Sequence, residues 1–155
     1  MEFTARDDVD VPIEAAFDLL SEYDFFERMA MRRGVEVQRH NPENPIGVGT
    51  NWDVDFAWRG KDIPMRAQII TFERPDLIEV EAIMPGMDVT VQFELVALSK
   101  RRTRLHFKAT STAKTLPMRL LLQSLKLARG NIDRKLQDRV GMQCRNLEER
   151  YYQAA

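Results

Sequence analysis

One change of rhythm governs what this chain can become. From Val35 to Ser111 apolar residues fall at every second position, and from Leu116 onward they fall three or four apart. A period of two places side chains on alternate faces of a strand, whereas spacings of three and four lay a stripe along a helix. The chain therefore reads as a run of strands followed by a long amphipathic helix. Turn residues delimit the strands at Asn41-Pro42 through Pro45, Gly60-Lys61, Arg74-Pro75-Asp76, Pro85-Gly86 and Ser99 to Arg102. Connections this short join antiparallel neighbours, and strict alternation leaves one face apolar and one wet. The clearest strand carries Trp52, Val54, Phe56 and Trp58 on one side and Asn51, Asp53, Asp55 and Arg59 on the other.

The flanks complete the plan. Phe3, Ala5, Val9 and Val11 alternate with polar residues as a first strand. Pro12 suits a first helical turn, and Ile13, Ala16, Phe17 and Leu20 recur at helical spacing. Ser21 is expected to cap a second short helix carrying Tyr23, Phe26 and Met29, which Gly34 ends. The terminal stripe includes Leu121, Leu125, Ile132, Leu136, Val140, Leu147 and Tyr151. Unbroken from Leu116 to Tyr152 that helix would measure ~55 Å, too long for a globule with a radius of gyration of ~15 Å. The helix is expected to bend or loosen at Gly130 and Gly141, or else to overhang at one end. Both apolar surfaces are buried only if the helix lies across the apolar face of the sheet, an α+β arrangement.

Composition narrows the function classes. With 155 residues, 23 Lys+Arg and 24 Asp+Glu, the chain reads as one domain over residues 1–155 with no global field for nucleic acid. The lone Cys144 cannot form an internal disulfide, and the residues after Met1 lack the basic and apolar regions of a secretion signal. No apolar run approaches the ~20 residues of a membrane span. The expectation is a soluble, cytoplasmic protein.

The order of elements, the entry Val11-Pro12-Ile13-Glu14-Ala15-Ala16-Phe17-Asp18-Leu19-Leu20, the strand start Gly47-Val48-Gly49-Thr50-Asn51-Trp52 and the closing Asn146-Leu147-Glu148-Glu149-Arg150-Tyr151 resemble the SRPBCC superfamily. That group includes START-like lipid-transfer domains, birch-pollen-allergen-like proteins and polyketide cyclase/dehydrase relatives. The resemblance implies a helix-grip fold: a curved seven-stranded antiparallel sheet around a long C-terminal helix, two short helices after the first strand, and an elongated hydrophobic cavity.

Within that frame the apolar parity supplies candidate ligand contacts. Trp52, Phe56 and Trp58 would offer flat surface, Met65, Phe93 and Phe107 would shape the middle, and Leu121, Leu125 and Ile132 would form the helical wall. Adaptable Met beside rigid aromatics suits a pocket of variable occupancy, although such a stripe also serves as ordinary core. Tyr23, Phe26 and Met29 would stand at the entrance, a role the resemblance implies. Polar residues on the inward parity are few: Asp7, Thr71, Thr103 and Ser111. His40 and His106 fall on the other parity, and no His, Cys or carboxylate spacing suits a metal. No cofactor is expected. The reading is binding or transport of a hydrophobic or amphipathic small molecule such as a lipid, isoprenoid or polyketide-like aromatic. An aromatase/cyclase or dehydratase using Tyr23, Ser111 or Thr103 is one alternative. A partner-binding module, monomeric or homodimeric through a sheet edge or the overhanging end of the terminal helix, is the other. Two basic clusters, Lys100-Arg101-Arg102 with Arg104 and Lys108, and Arg28 with Arg32 and Arg33, are solvated turns or peripheral membrane contacts.

Overall fold

The computed structural model describes residues Met1–Ala154. Strands β1 (Glu2–Val9), β2 (Glu36–Arg39), β3 (Asn51–Trp58), β4 (Lys61–Glu73), β5 (Leu77–Met84), β6 (Met87–Ser99) and β7 (Arg102–Ala113) form one antiparallel sheet. Their order is β1-β7-β6-β5-β4-β3-β2. Helices α1 (Ile13–Leu20) and α2 (Tyr23–Arg32) interrupt it after β1, and α3 (Leu116–Leu127) and α4 (Arg129–Ala154) close the chain.

The alternation read from sequence sets the register. Trp52 lies opposite Ala67, Val54 opposite Met65 and Phe56 opposite Ile63; Phe93 meets Phe107 and Leu95 meets Leu105. Directly opposed residues share a face, so one side of the sheet is apolar from β1 to β3. A bulge between Ile69 and Thr71 breaks the count. It turns Thr71 to the outer face, where its hydroxyl donates to Glu79 at 2.7 Å, and brings Phe72 inward, 5.1 Å edge-on from Phe17. Thr71 is thus not an inward residue, because one inserted position reverses every side chain beyond it.

Two helix boundaries also depart from expectation. Ser21 does not cap α2: its hydroxyl donates back to the Phe17 carbonyl at 2.8 Å, closing α1, and the residue before α2 is Glu22. The terminal helix breaks at Ala128, not at Gly130 or Gly141. Ala128 leaves helical geometry (φ −100°, ψ 15°), and its carbonyl accepts from Asn131 and Ile132 at the start of α4.

Helix α4 follows the free edge of β1. The Arg129 guanidinium donates to the Glu2 carbonyl at 2.5 Å. Gln137 both accepts from the Arg6 amide and donates to its carbonyl, at 3.2 and 2.6 Å. Arg145 reaches the Asp8 carbonyl, Glu148 the Asp10 amide and Tyr152 the Asp10 carbonyl. An edge strand otherwise leaves such groups unpaired. The fit is close, since a Cβ at Gly141 would sit 3.3 Å from Asp7 Oδ2. A side chain at this position would require the Asp7 carboxylate to give by a few tenths of an ångström.

A neighbouring stripe of α4, about 90° round the helix, enters the core. Val140, Cys144 and Leu147 pack with Val9, Val11, Phe17, Leu20, Ile78, Leu95 and Leu105. Burial, with Asp7 beside it, pushes the Cys144 thiol up to about 12. The core therefore fills one end of the sheet, under α1 and α4. No helix among the described residues is long and apolar enough to cross a membrane.

Candidate functional site

Beyond that core the space between sheet and helices opens into a cavity of about 310 Å³. The sheet contributes Ile78, Val80, Phe93, Leu105 and Phe107, the successive inward residues of β5, β6 and β7. Helix α4 contributes Leu136 and Val140 one turn apart, with Arg139 and Gln143 beside them. Leu20, Tyr23 and Phe26 complete the wall from α1 and α2. Phe93 and Phe107 meet edge to face with centroids 5.4 Å apart. The lining holds no carboxylate, imidazole or thiol. Its polar groups are the Arg139 guanidinium, the Gln143 amide and the Tyr23 phenol. Burial raises the Tyr23 hydroxyl to about 12, so it stays protonated and can donate a hydrogen bond but is a poor base.

Helix α2 is pinned on two sides. Glu27 accepts from Arg39 Nε at 2.6 Å and from Trp52 Nε1 at 2.9 Å, while Asp24 takes the other arm of Arg39. Arg39 lies on the inward parity of β2 opposite Trp52, so its charge needs a buried partner. On the other side Arg150 of α4 pairs with Glu22 and lies 3.8 Å over the Phe25 ring. Sequence reading missed this clamp. Its signal was present: an arginine at the next position of the apolar parity set by Val35 and Val37 calls for an acid from another element.

The candidate residues separate into groups. Tyr23, Phe26, Phe93 and Phe107 meet around the cavity. Trp52 is buried just beyond it, its ring 5.0 Å from that of Tyr23. Phe56 and Met65 lie half-buried further along the same sheet face, and Met29 is half-buried on α2. Trp58 is 41% exposed at the β3–β4 turn with Arg59 over its ring. Leu121 and Leu125 of α3 and Ile132 of α4 are half-buried outside the lining, the helical wall being made by the residues one to three turns on. Arg139 and Gln143 were not foreseen, because only the apolar stripe of α4 was read as a wall.

The polar residues considered for proton transfer are otherwise engaged. Thr103 is fully buried and donates to the Val11 carbonyl at 2.8 Å. Ser111 donates to the Met1 carbonyl. His40 lies on the outer face, as its parity implied, with its Nε2 2.8 Å from Asp53, and Arg66 also approaches that carboxylate. Among the described residues no group of three His, Cys, Asp or Glu converges as a metal site.

Searches by sequence match no family model and no curated protein. By structure the chain is similar to TTHA0849 from Thermus thermophilus, with a TM-score of 0.68 and 14% identity over 100% of this chain and 99% of that one. It is similar to the Zhui aromatase/cyclase from a Streptomyces species at a TM-score of 0.69 and 10% identity, covering 97% of this chain and 95% of that one. Norcoclaurine synthase from Thalictrum flavum superposes at 0.62 with 14% identity, covering 81% and 82%. Identities this low carry architecture alone. Sheet order, the helix pair after β1 and the terminal helix thus give this chain the helix-grip fold of SRPBCC-type structures.

Proposed function

We propose that this protein binds an amphipathic small molecule in the cavity between β5–β7 and α4, as a carrier or binding protein of the cytoplasm acting through one domain. The observation that carries the reading is the lining: aliphatic and aromatic side chains throughout, with a cation and an amide from one helix as the principal polar groups. Apolar ligand surface is driven in by the hydrophobic effect, and the few polar groups fix orientation. Arg139 has no acidic partner among the described residues, which suits an acidic head at that end. Tyr23 would donate to a ligand oxygen. A cyclising enzyme would need a group that exchanges protons near neutrality, and the lining offers none, so binding is preferred over catalysis.

Native mass spectrometry of the purified protein, followed by extraction, tests this directly; an adduct that releases an amphiphile is expected. A protein that arrives empty and also fails to take up the apolar fluorescent probe N-phenyl-1-naphthylamine would end the reading. Arg139→Gln should weaken binding of a medium-chain fatty acid roughly tenfold, the size of one charge-assisted contact, and leave the matching alcohol unchanged.

A further inference from the structure

Helix α3 carries apolar side chains on two opposite sides. Met118, Leu121, Leu122 and Leu125 are half-buried against the rest of the protein. Leu116, Leu120 and Leu127 are 66%, 56% and 92% exposed. At about 100° per residue these three fall within roughly 40° of one another, as a stripe down the wet face. It runs for ~17 Å along the helix. Packing gives no reason for it, because the inner side of α3 already supplies the contacts.

The charges around the stripe have one sign. From Leu95 to Ile132 the chain contains no Asp or Glu, although it has 24 in all. Arg119 and Lys126 flank the stripe on one side without an acidic partner among the described residues. Lys114 and Arg129 bracket the helix and are paired with Asp88 at 2.9 Å and Asp133 at 3.8 Å. The basic tip of the β6–β7 hairpin lies at the far end of β7, and its Arg102 and Arg104 are held by Asp8 and Asp10. Lys100, Arg101 and Lys108 of that hairpin have no acidic partner among the described residues, and Val96 and Leu98 beside them are 42% and 43% exposed; the more exposed apolar stripe, with leucines at 66%, 56% and 92%, is on α3.

We propose that α3 docks the protein on an anionic lipid surface, its leucine stripe entering the boundary between head groups and acyl chains and Arg119 and Lys126 meeting lipid phosphates. Apolar side chains on one face, cations beside them and no acid on the helix are the features of an interfacial helix. Charge decides against a second copy of the chain as the occupant. A two-fold dimer sets each patch against itself, so Arg119 and Lys126 would face their own duplicates with no carboxylate on α3 to meet them. Anionic head groups complement the same surface. The inference stands on α3 alone and is independent of what fills the cavity.

Flotation of the full-length protein with vesicles tests it. Binding is expected to 3:1 phosphatidylcholine–phosphatidylglycerol vesicles, to fall at high salt, and to be at least tenfold weaker for phosphatidylcholine alone. The double variant Leu120→Asp with Leu127→Asp, at exposed positions, should keep its melting temperature and lose binding tenfold or more. Arg119→Glu with Lys126→Glu, which keeps every leucine, should lose it likewise. Wild-type protein that stays with the unbound fraction, or variants that float as well as wild type, would overturn the proposal. So would sedimentation showing a wild-type dimer that Leu120→Asp with Leu127→Asp dissolves, since the stripe would then belong to a second copy.

Discussion

Replacing Val80 by Phe puts a benzyl group where an isopropyl group now borders the cavity. A volume of about 310 Å³ equals about ten water volumes at ≈ 30 Å³ each, and a methylene is of similar size. A ligand filling the space therefore buries about ten carbons, or ~8 kcal/mol at ~0.8 kcal/mol per CH₂, which corresponds to roughly micromolar affinity. The substitution occupies the room of about four of those carbons. The expected loss is ~3 kcal/mol, or about 100-fold in Kd. Because the added atoms enter a void, stability should move by less than ~1 kcal/mol, whereas forcing four carbons into a closed core costs ~1–3 kcal/mol. Titration with N-phenyl-1-naphthylamine reads the first quantity, and a thermal melt of the unliganded protein reads the second. An unchanged Kd would show that ligand binds elsewhere, and a melting temperature lower by ~5 °C would show that the space is not there to fill.

Thr103→Val keeps the side-chain shape but leaves the buried Val11 carbonyl without its donor; a loss of ~1–3 kcal/mol and a melting temperature lower by ~2–10 °C are expected by calorimetry. The hydrogen bond from Arg104 holds the Asp8 carboxyl below its ordinary range. That contribution is complete above the unfolded value near ~3.9 and is lost as pH falls through the lower folded value. Melts of wild type and Asp8→Asn should accordingly differ at pH 6 and converge in strong acid; a constant gap would refute the assignment. Cys144, buried with its thiol raised to about 12, should resist dithionitrobenzoate at pH 8 until guanidinium unfolds the chain. Rapid labelling of the native protein would show that α4 opens.

The parts of this fold that repeat are the parts that could be read in advance. Trp52, Val54 and Phe56 alternate because β3 is half-buried along its length, and the same rule aligned β4 to β7. Where one residue breaks the repeat the rule fails: the bulge before Thr71 depends on how β4 and β5 twist together, which no local pattern records. The break at Ala128 lay outside reach for a related reason. Neither neighbouring residue forbids a helix there, and the partners of α4 lie on the edge of β1 more than a hundred positions earlier in the chain. The site divides in the same way. Phe93 and Phe107 follow from parity, Tyr23 and Phe26 from the family resemblance, whereas Arg139 and Gln143 reach the lining through the rotation of α4. Glu27 and Arg39 find each other only once α2 has settled over β2.

The ladder of side chains from α4 along β1 bears on how the protein fails as well as how it stands. Sheets polymerise through bare rims, and this one has two. At β2 the rim is four residues long, a poor template. At β1 it is twice that length and is kept shut by Arg129, Gln137 and Arg145, with Glu148 and Tyr152 holding Asp10 just beyond its end. A chain clipped before α4 would expose a greasy trough and an open seam at one stroke, the combination from which intermolecular β-assemblies nucleate.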